Sequence, residues 1–342
     1  MTNRKKYFLA LPLLIVIIGI LLLCGMLLDK GVLIRGERST LLIPTGANYE
    51  QVLDTVYSNL NIRNRSLFEL ISRKKNFPAL VKPGRYVILK NMSYLKLINI
   101  LRSGRQTPVD VTINSARTIS QLAGKIGGVI EADSNQIVEF LNEPSNYAKD
   151  GFKRENVISL FLPNTYEFYW NTSPSGFYGR MLKEYRRFWT AERSGKAKAN
   201  NLTTIEVSVL ASIIDAETTN SVEKPKIAGV YLNRLRSGMP LQSDPTIKFA
   251  LNDFTLRRIL NKQLQTDSPY NTYKHSGLPP GPIGCPSVES IEAVLNAEKH
   301  DYFYFVAKAD NSGSHNFSRT LAEHNKYASE YQKALDKRKI FK

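Results

Sequence analysis

The chain has 342 residues, with 42% hydrophobic and 23% charged side chains, a globular composition long enough for two or three domains. Its formal net charge is +17, which calls for an anionic environment: nucleic acid, an acidic membrane surface or an acidic polymer. It carries only two cysteines, Cys24 and Cys285, too few for a disulfide framework.

Residues 7–28 contain no charge, follow Arg4, Lys5 and Lys6, and are followed by Asp29 and Lys30, which cancel. Such a run is long enough to cross a bilayer as a helix. The positive-inside rule leaves residues 1–6 in the cytoplasm and exports the rest. A cleavable signal peptide competes, but its apolar region would be shorter and end in small residues, which Leu22-Leu23-Cys24 does not supply. The same lack argues against a lipoprotein cleavage site. We therefore expect an uncleaved single-pass anchor, with Cys24 in the membrane, Cys285 outside, no disulfide between them and no nucleic-acid partner. Residues 29–40 read as a connector.

A structured pattern begins with Leu41-Leu42-Ile43 as a strand and Pro44-Thr45-Gly46-Ala47 as a turn. A helix is expected over 49–60, with Val52, Val56 and Leu60 on one face, and a second over 67–74. Lys82-Pro83-Gly84-Arg85 signals a turn before a strand at 86–89, and a helix over 94–101 ends at Ser103-Gly104. Strand, helix, helix, strand over residues 41–106 suits a small α+β module of the LysM type. Such modules bind N-acetylglucosamine-containing wall glycans, and many variants only hold position.

Val109-Asp110-Val111-Thr112-Ile113 alternates as a strand within a larger mixed α+β domain over 107–342. Helices are expected at 118–126 and 134–141. Residues 161–170 are dense in aromatics and contain a turn, which suits either a buried cluster or a face for sugar rings. A long basic helix over 175–192 precedes a polar, flexible connector at 193–201. No internal repeat or low-complexity segment interrupts the order.

Thr203 and Glu206 have capping-box spacing and fix the start of a helix that ends near Glu217. A further helix is expected over 222–235. Two loops rich in Pro, Gly and polar groups follow, at 239–246 and 268–283, and long polar loops of fixed shape in compact domains form sites. A helix at 287–296, a strand at 302–307, His315-Asn316-Phe317 and a closing helix at 321–335 complete the chain.

The stretch 210–220 carries the sharpest chemical signal. Leu210, Ile213 and Ile214 fall on one apolar stripe, and Glu217 is its i+7 position. Asp215 lies about 200° round the helix and is expected to face solvent. A Glu held against an apolar face has a raised pKa and can donate a proton near neutral pH. The competing reading pairs Glu217 with one of the many Lys or Arg residues near a helix end.

Residues 203–330 resemble the catalytic region of the endolytic murein transglycosylases, the MltG/YceG-like family. The likeness rests on Leu210-Ala211-Ser212-Ile213-Ile214-Asp215-Ala216-Glu217-Thr218, Val230-Tyr231-Leu232-Asn233-Arg234-Leu235, Met239-Pro240-Leu241-Gln242-Ser243-Asp244-Pro245-Thr246, Tyr270-Asn271-Thr272-Tyr273, Gly277-Leu278-Pro279-Pro280-Gly281-Pro282-Ile283 and Tyr304-Phe305-Val306-Ala307. It is weakest at 105–200, and Asp215-Ala216 departs from the charged pair common before the family's acid. The resemblance implies that Glu217 is the catalytic acid/base. The implied reaction is non-hydrolytic cleavage of the β-1,4 bond between N-acetylmuramic acid and N-acetylglucosamine, leaving a 1,6-anhydro end. Asn233, Gln242, Asp244, Asn271 and Tyr273 match the family's recurrent polar positions as sugar-binding or Glu-orienting groups, and each could instead cap a turn. His315 is a candidate cleft residue with a structural alternative. The four histidines lack metal-site spacing, so no metal or cofactor is expected. The implied location is the bacterial cytoplasmic membrane with the catalytic domain outside, periplasmic in a Gram-negative cell. Implied partners are peptidoglycan strands, penicillin-binding proteins and other wall synthases. Two alternatives stay open: a hydrolytic muramidase in which Asp244 activates water opposite Glu217, and a non-enzymatic wall-binding scaffold.

Overall fold

The structure, a computed structural model, describes Gly25 and residues 30–337 apart from 257 and 311. The expected membrane run at 7–28 therefore lies, Gly25 aside, outside the described residues, as does Cys24. Among the described residues no helix is long and apolar enough to cross a membrane. The chain divides into two compact units. One takes in the chain up to Asp110 with Val129–Glu131 and Glu167–Thr172; the other takes in Val111–Gly128, Ala132–Tyr166 and residues 173 onward.

In the first unit β1 (Val32–Leu33) pairs antiparallel with β3 (Asn61–Ile62), and β2 (Arg38–Ile43) with β4 (Gly84–Leu89). The period-2 alternation of β2 and β4 turns Leu41, Ile43, Tyr86 and Ile88 inward and leaves Leu42 and Leu89 exposed. Helices α1 (Tyr49–Asn59) and α2 (Arg65–Lys74) lie between these strands in sequence, and α3 (Tyr94–Ser103) follows them. Val52, Val56 and Leu60 are buried with Phe68, Tyr94 and Leu97, the face that the 3.6-residue period assigns. Helix α3 stops where expected because Gly104 adopts φ 69°, a left-handed conformation that glycine takes without penalty. Glu131 belongs to this unit: its carboxylate accepts from the Thr45 backbone N–H and hydroxyl, both at 2.6 Å.

Strand β5 (Val109–Ile113), whose last three residues open the second unit, pairs with β6 (Asn164–Phe168), and α4 (Ile119–Gly127) and α5 (Ser134–Asn142) come next among the helices. The aromatic stretch is largely core: Phe161 and Tyr166 are buried, and Phe161 stacks on Phe177 at 5.7 Å. Phe177 lies on α6 (Pro174–Phe188), whose N-terminus Ser173 caps.

Residues 193–201 are not a flexible connector. They fall in or just after α7 (Ala191–Ala199), capped by Thr190. Only Ala197 of this helix is buried, so no apolar stripe betrays it. Polar staples hold it instead: Arg193 Nε donates to Glu292 at 2.7 Å, and Asn200 Nδ2 to the Val294 carbonyl at 3.0 Å.

Helix α8 (Thr204–Glu217) is the axis of this unit. The Thr203–Glu206 capping box forms as expected, with hydrogen bonds of 2.7 and 3.2 Å. Every residue from Val207 to Ile214 is buried, so the helix has no solvent face along that length. Helix α11 (Val288–Leu295) covers one side, and α9 (Lys224–Arg236) and the short α10 (Asp244–Ala250) approach others. The loop expected at 239–246 thus ends in a helix. Helix α9 starts later than expected, at Lys224, because Asn220 holds the Val222 N–H in a side-chain turn at 3.2 Å. Strands β7 (Tyr304–Ala307) and β8 (His315–Ser318) form an antiparallel hairpin, Ala307 facing His315, and α12 (Leu321–Lys337) closes the order. The second loop packs so closely at Gly281 that a Cβ there would lie 1.8 Å from the Glu155 carbonyl oxygen.

Asp215 does not face solvent. With α8 covered on all sides, the position about 200° from Glu217 meets the N-terminus of α11. There Asp215 accepts from the Ser287 N–H (2.5 Å) and the hydroxyls of Ser287 (2.7 Å) and Ser290 (2.5 Å). Lys224, only 5% exposed, reaches Asp215 at 3.1 Å and Glu289 at 2.6 Å. Burial alone would pull its pKa down, but the two carboxylates beside it leave it raised. Lys224→Met is expected to lower stability by about 1–2 kcal/mol, since Glu289 is largely solvated and Asp215 keeps its serine donors. Urea unfolding at pH 7 measures this.

Candidate active site

Glu217 is the last residue of α8 and protrudes where the helix leaves the core. Its carboxyl is held on one oxygen. The Tyr231 hydroxyl donates to Oε1 at 2.7 Å and the Ser243 hydroxyl to the same atom at 2.5 Å. Among the described residues nothing hydrogen-bonds Oε2. An oxygen that accepts two hydroxyl protons is a poor place for a third, so the acid proton belongs on Oε2. Surrounding protein raises the pKa of Glu217 by desolvation, an effect that the Ser243 and Tyr231 hydrogen bonds partly offset; Asp244 raises it further and His315 lowers it. Part of the side chain remains accessible, which a proton donor to an external substrate requires.

Each donor is fixed by its own surroundings. Tyr231 is buried on α9, and burial next to Glu217 pushes its hydroxyl well above the ordinary range, so it stays a donor. Its ring meets Phe305 of β7 edge-on at 5.7 Å. Ser243 precedes α10 and is 1% exposed. Its N–H donates to Thr272 Oγ1 at 3.0 Å and its carbonyl accepts from Thr246 Oγ1 at 2.7 Å. Thr246 and Thr272 share a hydrogen bond of 2.9 Å. Tyr231→Phe is expected to lower kcat about tenfold with little change in KM, the value of one hydrogen bond to an ionising group. Steady-state cleavage of glycan strands reads this out.

Arg234, one turn along α9, anchors the loop that carries Ser243. It is 7% exposed. Its Nε donates to the Phe303 carbonyl at 2.6 Å, and Nη1 to the carbonyls of Pro240 (3.1 Å) and Leu241 (2.9 Å) and to Gln242 Oε1 (3.2 Å). The guanidinium also lies over the Tyr304 ring at 5.1 Å.

The residues singled out in the sequence divide into two groups. Asp244 is exposed at the start of α10, accepts from the Tyr273 hydroxyl at 2.6 Å, and acts electrostatically on Glu217. Tyr273 is held protonated well above its usual range by burial and by Asp244. Gln242 takes φ 53° and joins the 272 segment through its N–H to the Thr272 carbonyl at 3.0 Å. The other two amides bind backbone carbonyls. Asn271 is wholly buried and donates to the Leu264 and Thr266 carbonyls at 2.9 and 2.8 Å. Asn233 donates to the His300 and Tyr302 carbonyls at 2.8 and 3.0 Å.

Sequence reasoning passed over Tyr231, Ser243 and Arg234, although all three stand inside the motifs quoted above. The available signal was position: Tyr231 and Arg234 flank Asn233 by two residues and one, and Ser243 lies between Gln242 and Asp244.

The sequence profile described as the YceG-like family matches residues 41–330. The chain belongs to the YceG-like family. A Bacillus subtilis (strain 168) protein named endolytic murein transglycosylase is 31% identical over 305 residues, covering 84% of this chain and 83% of its own. The protein of the same name from Streptococcus pneumoniae (strain D39) is 29% identical, covering 82% of this chain and 57% of that longer relative. Among solved structures, a YceG-like protein from Listeria monocytogenes superposes with a TM-score of 0.57 at 29% identity, covering 85% of this chain and 99% of that one. The mixed α+β architecture is thus that of the YceG-like fold.

Proposed function

We propose that this YceG-like chain is a membrane-anchored endolytic peptidoglycan transglycosylase, and that Glu217 is its acid and base. The carrying observation is the Glu217 carboxyl, whose Oε1 is saturated by two hydroxyl donors while none of the described residues hydrogen-bonds Oε2. Glu217 Oε2 gives its proton to the glycosidic oxygen between N-acetylmuramic acid and N-acetylglucosamine as the C1–O bond breaks. The resulting carboxylate then takes the proton of the muramoyl C6 hydroxyl, whose oxygen closes on C1. The proton count at Glu217 balances over the cycle and no water is consumed, so a second carboxylate is not needed as it is in most glycosidases. Tyr231 and Ser243 stabilise the carboxylate in the interval. The names of the Bacillus and pneumococcal relatives support the same substrate and reaction.

The hydrolytic reading has one specific observation in its favour: Asp244 is exposed and near enough to act on Glu217. Mass analysis of products from uncrosslinked glycan strands separates the two. 1,6-Anhydro ends are expected, and reducing muramic acid ends alone would establish hydrolysis.

In this reading the uncharged run at 7–28 anchors the enzyme in the cytoplasmic membrane with its catalytic unit outside. Residues 41–106 serve as a LysM-like module facing the wall, a reading supported by the pairing of β2 with β4 and by the two helices that lie between them in sequence. Penicillin-binding proteins and other wall synthases are its working partners. The net charge of +17 suits both anionic lipid and wall carboxylates.

A further inference from the structure

His315 and Glu223 form a pair that the sequence did not connect. They are 92 residues apart, yet Glu223 accepts twice from His315: the backbone N–H donates to Oε1 at 2.9 Å and the ring Nδ1 lies 2.8 Å from Oε2. Both side chains are about seven-eighths buried, at 12% and 13% exposure. A carboxylate on Nδ1 fixes the tautomer of the neutral ring, with hydrogen on Nδ1, and stabilises the imidazolium. The ring is clamped further by Phe305, which it meets edge-on at 5.4 Å. Phe305 in turn holds Tyr231, the donor to Glu217 Oε1. A carboxylate and an imidazole buried only to brace the hairpin would be poor stabilisers compared with apolar residues of the same volume. A carboxylate and an imidazole linked through Phe305 and Tyr231 to an acid/base group call for a functional reason.

We propose that Glu223 and His315 are positioning residues for Glu217: Glu223 locks the imidazole so that its positive charge favours the carboxylate Glu217 becomes after giving up its proton. This rests on the acid/base reading of Glu217 given above. The other titratable or charged groups that face Glu217 are Tyr231 and Arg234 of α9, Asp244 of α10 and Tyr273. Of these only Arg234 carries a fixed positive charge, and its donors already bind the carbonyls of Pro240, Leu241 and Phe303. His315 is therefore the remaining group near Glu217 that is able to carry a positive charge.

The test is the pH profile of 1,6-anhydro end formation by the purified full chain on uncrosslinked glycan strands. The alkaline limb reports loss of the acid proton from Glu217. In His315→Gln that limb is expected to move up by about half a pH unit or more, since a nearby positive charge no longer favours the carboxylate. Glu223→Gln keeps the shape, weakens the hold on the imidazolium, and is expected to move the limb in the same direction by less. Linkage requires the converse: in Glu217→Gln the His315 ring should titrate at lower pH by a similar amount, resolved by NMR among the four histidines. Folded variants with an unmoved alkaline limb, or a His315 titration indifferent to Glu217→Gln, overturn the inference; a purely structural pair would lower the melting temperature and leave both untouched. The two proposals fail differently. If Glu217→Gln retains cleavage, the acid/base reading falls; if it abolishes cleavage while His315→Gln leaves the limb in place, only this inference does.

Discussion

Glu217→Gln is expected to cut formation of 1,6-anhydro ends by about a hundred- to ten-thousand-fold, the usual weight of one general acid/base group. The amide is nearly the same shape and its oxygen can accept from Tyr231 and Ser243 as Oε1 does, so substrate affinity should hardly change. What disappears is the proton on Oε2. Stability should move in the opposite sense. Glu217 has a folded-state pKa above its unfolded value because burial disfavours the charge. Such a group contributes stability in full below the unfolded pKa and loses it as pH rises through the folded one. Gln has no charge to bury, so the melting temperature of Glu217→Gln relative to wild type should rise with pH through that window. Activity and thermal denaturation measured on the same preparations check both halves, and a variant that is both active and less stable at high pH would contradict them.

The second large effect is on folding. Arg234→Ala should lower stability by about 3–4 kcal/mol, because it leaves the buried Leu241 carbonyl and the partly buried carbonyls of Phe303 and Pro240 without their donor and opens a cavity. Arg234→Lys should recover less than half of this. One ammonium cannot reach both the 303 side and the 240–242 side, which the planar guanidinium bridges. Urea midpoints at unchanged m-value give the comparison. Since the same loop presents Ser243 to Glu217, Arg234→Lys should also slow catalysis more than its lost stability explains.

Local signals carried much of this fold. The capping box at Thr203, the glycine stop after α3 and the strands at 41–43 and 86–89 are each decided within a few residues, and each forms as expected. Helix α7 escaped because a helix fastened by Arg193, Asn200 and a single buried alanine has no hydrophobic period. Asp215 was misplaced for the opposite reason. An apolar stripe on α8 was read as one face of an amphipathic helix, but Val209, Ala211 and Ser212 are buried as well, and periodicity does not reveal what covers the far side. Glu217 stood out in the sequence because its apolar stripe and the family motif point to the same residue. Its donors could not, since Tyr231 and Ser243 approach from two other elements 14 and 26 positions later. Asn233 and Asn271 have the composition of ligand-binding amides, yet their donors are engaged by loop carbonyls, a pairing set by tertiary contact alone.

The burial of α8 from Val207 to Ile214 ties Glu217, the proposed proton donor, to the cooperative unit of its domain. An exposed helix can fray and re-form with little effect on its neighbours, but α8 cannot loosen until the elements around it have separated. Glu217 sits on the final turn of that rod, so its geometry belongs to the global native state and not to a local opening. Heating or denaturant should leave the acid in register until the whole domain lets go, and wall cleavage should end in a single step.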